Sequence, residues 1–88
     1  MKVEFRESFL RDIRKVKDKG NLDTLKKTIE KVENAESLAE INGLKKMHGS
    51  QGYFRIRLGD HRVGLKLEAE TIHFVRFLHR REIYRFFP

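Results

Sequence analysis

The chain has 88 residues, enough for one domain and too few for two. Apolar residues at 39% exclude a disordered tail, and 20 Lys plus Arg against 13 Asp plus Glu leave a net charge of +7, which points to a polyanionic partner: nucleic acid, an anionic membrane or an acidic protein. The absence of cysteine excludes disulfides, thiolate metal sites and a Cys nucleophile, and no apolar run approaches the ~18 residues of a membrane span, so a cytoplasmic protein is expected. In chain order, Val3 and Phe5 alternate with charged residues and predict a short strand. Phe9, Ile13 and Val16 keep the spacing of one helix side, with Ser8 near its start and Gly20-Asn21 at its end. Leu22, Leu25, Ile29 and Val32 repeat that spacing in a second helix, for which Asn21 or Asp23 is the expected cap. The short turn between them predicts an antiparallel helical hairpin. Leu38 and Ile41 tether a connector, Asn42-Gly43 signals a turn, and Gly49 to Gly52 reads as a polar, flexible stretch. Three strands follow, Tyr53 to Leu58, His61 to Glu68, and Thr71 to about His79, joined by tight turns at Gly59-Asp60 and Ala69-Glu70. The order strand, helix, helix, three strands predicts an α+β fold, with helices on one face of a mostly antiparallel sheet.

Strand parity then assigns faces. Phe54, Ile56 and Leu58 point one way with Val63, Leu65 and Leu67, while Arg55, Arg57, Arg62 and Lys66 point the other. The last strand is apolar on both sides. If Val75 and Phe77 face the helices, Arg76 and Arg80 join the opposite face, which then holds Arg55, Arg57, Arg62, Lys66, Arg76 and Arg80 with Glu68 as its one counter-charge. Like charges on neighbouring strands repel, and guanidinium suits bidentate phosphate binding, so the face is a candidate phosphate grip. A solvated polar face is the structural alternative.

The tail places His79, Arg80, Arg81 and Tyr84 within a few residues: an imidazole able to carry protons near neutral pH, guanidiniums, and a phenol able to stack on a base. The apolar end from Ile83 to Phe87 either packs on the core or meets a partner. No HxxxH or CxxC pair, carboxylate cluster or Gly-rich phosphate loop is present, so no cofactor or metal is expected.

Tyr53 to Val63 (YFRIRLGDHRV) and His79 to Tyr84 (HRREIY) resemble the hairpin and the C-terminal motif of RelE/ParE-superfamily toxins, and Leu44 to Met47 (LKKM) resembles that family's approach to the sheet. The resemblance covers nearly the whole chain. It implies a type II toxin, in the RelE-like branch a ribosome-dependent endoribonuclease that cuts mRNA in the A site without metal. A cognate acidic antitoxin is implied as partner, with operator DNA bound by the complex through the antitoxin. Carried over residue by residue, it implies catalytic roles for Arg62, Arg80 and Tyr84, proton transfer by His79 if it faces the site, and RNA contacts from Lys45, Lys46, Arg55, Arg57, Arg76 and Arg81. The Arg80-to-Tyr84 spacing is shorter than in some RelE members, and a long C-terminal helix is absent. A ParE-like gyrase inhibitor and a catalytically silent binding module are the alternatives. The expected chemistry is attack by the RNA's own 2′-hydroxyl, with Arg62 and Arg80 stabilising the phosphate charge.

Overall fold

In a computed structural model of the chain, every residue is described except Ser50. Ser50 falls within the stretch expected to be flexible and lies outside the described residues. The order is β1 (Lys2–Phe5), α1 (Glu7–Arg14), α2 (Lys19–Asn34), a 3-10 turn (Leu38–Glu40), β2 (Leu44–Lys46), β3 (Tyr53–Leu58), β4 (His61–Glu68), β5 (Thr71–His79) and a short α3 (Ile83–Phe86). The strands form one sheet in the order β1-β5-β4-β3-β2, antiparallel except for the parallel β1–β5 pair. The expected α+β fold holds, with one strand more than foreseen. The connector segment Leu44–Lys46 pairs with Ile56–Phe54 as an edge strand, too short for alternation to reveal. No helix among the described residues is long and apolar enough to cross a membrane.

The helices bury Phe9, Leu25 and Val32 against Ile56, Val63, Leu65, Ile72, Phe74 and Phe77 of the sheet. The rings of Phe9 and Phe74 lie 5.4 Å apart, an aromatic contact that adds to the area they bury. Two boundaries differ from expectation. Gly20 and Asn21 do not end α1 but lie in the first turn of α2, whose cap is Asp18: its carboxylate accepts from the N–H groups of Gly20 (2.8 Å) and Asn21 (3.4 Å). Asp18 lies just outside the apolar periodicity, and only the side-chain bond singles it out from Asn21 and Asp23.

Ser8 does not cap α1 either. β1 covers only the first half of β5, and beyond it α1 supplies the missing partners of that edge. The Ser8 hydroxyl donates to the Val75 carbonyl, and the Phe77 N–H donates to Asp12 (2.9 Å). One helical turn separates Ser8 from Asp12, so both side chains reach the same strand. Asp12 is buried and also takes a two-pronged bond from Arg76, at 2.8 and 3.1 Å. That pair raises the pKa of Arg76.

The β4–β5 register slips by one residue between Gly64/Arg76 and Leu65/Phe74, leaving Val75 as a bulge. The slip corrects the assignment of Val75: it does not face the helices with Phe77 but packs on the other face, against a second cluster formed by Met47, Ile83 and Phe87. A Cβ on Gly64 would stand 2.9 Å from the Phe87 ring, so glycine is what lets that ring lie on the sheet. The apolar end thus packs, through Ile83 and Phe87, while Phe86 and Tyr84 stay exposed.

Candidate nucleic-acid interface

The face away from the helices divides into three zones. In the middle, Phe87 and Ile83 sit over Gly64 with Met47, Tyr53 and Leu78. Towards the β4–β5 turn the charges are mutually satisfied: Lys66 meets Glu68 at 2.9 Å and lies over the Tyr53 ring, and His73 meets Glu4 at 3.4 Å and Arg6 at 3.3 Å. Towards the β3–β4 turn Arg55, Arg57 and Arg62 stand outside ion-pair reach of any acid among the described residues.

That third zone is built by cross-strand pairing. Lys45 lies opposite Arg55, and Arg57 opposite Arg62. None of the four is in an ion pair among the described residues. Arg62 donates to the carbonyls of Gly59 (2.8 Å) and His61 (2.9 Å), which fixes the guanidinium without neutralising it. Its pKa is lowered, first by burial, then by the charges of Arg57 and Arg55; Tyr84 acts the other way, and Arg80 adds to the lowering. Arginine stays charged throughout, and the part of the depression that comes from Arg57, Arg55 and Arg80 is crowding of positive charge that an anion would relieve. Arg55 donates to the Gly43 carbonyl at 3.0 Å and from Nε to the Tyr84 hydroxyl at 3.2 Å, tying the phenol to the cations.

The structure therefore brings Arg55, Arg57, Arg62 and Tyr84 together, with Lys45 beside them. Arg80 adjoins through the β3–β4 turn: its N–H donates to the Asp60 carbonyl at 2.7 Å, and its guanidinium lies 3.9 Å from the Asp60 carboxylate. Other candidates stand elsewhere. Arg76 is withdrawn into the pair with Asp12, and Lys46, opposite Phe54, falls on the helix side of the edge strand. Arg81 is exposed at the turn after β5.

His79 does not face the arginines. It pairs with His61 one step beyond the buried Val63–Phe77 pair, and the His61 ring stacks on Phe77 at 4.8 Å. Both imidazoles line a cleft of about 600 Å³ against the α1–α2 turn, on the helix side of the sheet. Side chains alternate along β4 and β5, so a residue next to Arg62 or Arg80 in sequence points the opposite way. His61 has a lowered pKa, through burial first and the His79 charge second. The Nδ1 of His79 accepts from the Arg81 N–H at 3.1 Å, which ties the ring to the turn that follows β5.

Parity alone could not find the residues that set this geometry. Asp12 had one signal: an acid three residues after Phe9, on the stripe that α1 buries. Gly64 had none beyond its place in a strand.

Comparison with known proteins follows the same lines. A family model described as the ParE toxin of the type II toxin–antitoxin system parDE matches residues 3–84. The toxin RelE3 of Methanocaldococcus jannaschii is 39% identical over 90 residues, covering 100% of both chains. A chain in the crystal structure of the RelB-RelE antitoxin–toxin complex from Methanococcus jannaschii superposes with a TM-score of 0.81 at 36% identity, over 96% of this chain and 98% of that one. A chain of the Escherichia coli DinJ-YafQ complex shares the fold, with a TM-score of 0.65 at 18% identity over 93% and 96%. With its whole length matched and its site drawn from the matching segments, the chain belongs to the RelE/ParE superfamily of type II toxins, in its RelE-like branch.

Proposed function

We propose that the chain is a metal-independent endoribonuclease that cuts mRNA on the ribosome and is held inactive by a cognate antitoxin. The observation that carries this is the group of Arg55, Arg57 and Arg62, unpaired by any acid among the described residues and bonded to an exposed tyrosine. Proteins seldom hold like charges across adjacent strands without a counter-ion, and a phosphodiester supplies one.

In the reaction, the 2′-oxygen of the RNA attacks the adjacent phosphorus and the bond to the 5′-oxygen breaks. The products are a 2′,3′-cyclic phosphate and a 5′-hydroxyl. One proton leaves the attacking oxygen and one reaches the leaving oxygen. Arg62, fixed by two carbonyls, stabilises the crowded phosphate, with Arg80 beside it. Arg55, Arg57 and Lys45 hold neighbouring phosphates, and the Tyr84 ring stacks on a base. His61 and His79 lie on the other side of the sheet and guanidinium is too weak an acid to serve as a base, whereas His48 lines a pocket with Lys45, Arg55 and Tyr84, so the 2′-hydroxyl proton passes to His48 or to a group of the ribosome or the RNA.

A 36%-identical chain is found in a RelB-RelE complex. By the same likeness this toxin takes an antitoxin of its own, acidic to match the net charge of +7, through which the complex reaches operator DNA.

The test is a translating extract supplied with purified toxin. Wild type is expected to cut mRNA into fragments ending in cyclic phosphate, and Arg62→Ala to cut about 10²–10³ times more slowly. Intact mRNA together with inhibited gyrase supercoiling would replace this function with the ParE-like one.

A further inference from the structure

Resting on the RNA function above, we propose that His79 is a positioning residue for cleavage: its neutral ring accepts the Arg81 N–H and holds the turn that carries Arg80 and leads to Tyr84, and a protonated ring releases that turn. His79 faces away from the arginines and takes no part in the chemistry itself. It is nevertheless built into the segment that joins them to the tail.

The turn runs from His79 to Glu82, and three successive N–H groups each meet an acceptor. Arg80 donates to the Asp60 carbonyl at 2.7 Å, Arg81 to the His79 Nδ1 at 3.1 Å, and Glu82 to the His79 carbonyl at 2.8 Å. The first and last acceptors are carbonyls, which work at any pH. The middle one is an imidazole nitrogen. The Glu82 carbonyl then accepts from Arg85 and Phe86, at 3.0 and 3.1 Å, and opens α3. The direction of α3, and with it the reach of Tyr84 to Arg55, therefore starts from this turn.

An imidazole nitrogen accepts only through a free lone pair, so the bond needs Nδ1 bare and the single ring proton at Nε2. A second proton goes to Nδ1 and sets donor against donor. Asparagine and aspartate commonly make this contact, side chain to the N–H two residues on. Histidine makes it with a group that changes charge near neutral pH.

The surroundings give a charged ring nothing to stay for. His79 lies 5.9 Å from His61, inclined by 72°, and His61 stacks on Phe77. From α1 and the turn after it, Asp12, Lys15, Lys17 and Asp18 face the same cleft; β5 adds Arg76 and the tail Glu82. Asp12 is taken by Arg76, Asp18 by the start of α2, and Asp60 of the β3–β4 turn lies beside Arg80. No carboxylate is within ion-pair reach of His79 among the described residues. Protonation thus removes the turn's bond and supplies no replacement.

The experiment compares full-length wild type, His79→Asn, His79→Leu and Arg62→Ala, each checked for folding by thermal unfolding. Asn keeps an acceptor for the Arg81 N–H and does not titrate; Leu fills the cleft and offers no acceptor. Cleavage in a translating extract is read from about pH 8 to 6, across the range in which histidine changes charge. The ratio of wild-type to Asn rates cancels the response of the ribosome and of groups both chains share, His48 among them. It is expected to fall about 2- to 10-fold towards the acid end, the worth of one hydrogen bond. His79→Leu should cleave at the lower rate throughout. In the free toxin, NMR should show the Arg81 amide and the Tyr84 ring shifting together with the His79 imidazole nitrogens. A wild-type to Asn ratio that stays constant overturns the proposal, as does an Arg81 amide that ignores the titration of His79. Arg62→Ala should keep the NMR response while cutting slowly at every pH, so the hold on the turn and the RNA function fail separately.

Discussion

At the scale of single residues, the buried acid and the crowded cation decide the most. Asp12 satisfies a charged guanidinium and a backbone N–H at once, so Asp12→Ala leaves both without a partner. Removing one member of a buried ion pair costs about 3–5 kcal/mol, and the partial exposure of Arg76 reduces this to roughly 2–4 kcal/mol, measurable by urea unfolding. His61 gives a pH dependence. Its pKa is lowered in the folded state, so the unfolded chain binds more protons between the folded and unfolded values, and stability rises with pH. The loss is therefore absent above the ordinary histidine value of about 6.5, grows as pH falls through it, and is complete below the folded value. His61→Gln should flatten the fall in stability that wild type shows as pH drops below about 6.5. An unaltered slope would remove His61 as the cause. Sequence exposed Arg55, Arg57 and Arg62 through parity, because each lies on a regular stretch of strand. The same parity puts His79 with Phe77 on the helix side, where it lies; what parity could not expose is the direction of Val75, because the bulge shifts the register at that residue.

At the scale of elements, the β5 edge and the C-terminal turn carry the site. α1 replaces a missing strand with two side chains, a device invisible to hydrophobic periodicity because its working residues are polar. The Ala69-Glu70 turn, by contrast, was legible from spacing alone, although both residues take positive φ, at 49° and 64°, without a glycine. α3 has only the four residues Ile83–Phe86, too few to be stable alone, and it is held by Ile83 and by Phe87 on Gly64. Gly64→Ala is expected to displace Phe87, cost about 1–3 kcal/mol, and slow RNA cleavage through misplacement of Tyr84 although every arginine remains. If the variant unfolds less easily than wild type, or cleaves at the full rate with Phe87 displaced, the tail does not position the tyrosine. β2 was missed as a strand because three residues of an edge, two of them lysine, show no alternation.

At the scale of the whole molecule, charge is sorted by position. The end of the sheet that holds Arg57, Arg62, Arg80 and the α1–α2 turn is basic, while the acids of Glu33, Glu36, Glu68 and Glu70 lie towards the other. The total of +7 forecast a polyanion but not this sorting, which depends on which loops the topology brings to one end. The fold class was readable because each long element keeps a clean period; the site was readable in part, since Lys66 and Arg76 look like phosphate ligands until Glu68 and Asp12 are seen to occupy them. The central claim is that the unpaired arginines act on a phosphodiester of mRNA. Its most direct test is mapping of mRNA 5′ ends after induced expression, wild type against Arg62→Ala. New 5′-hydroxyl ends within translated frames that disappear in the variant are expected. Intact messages in both, or the same new ends in both, would contradict it.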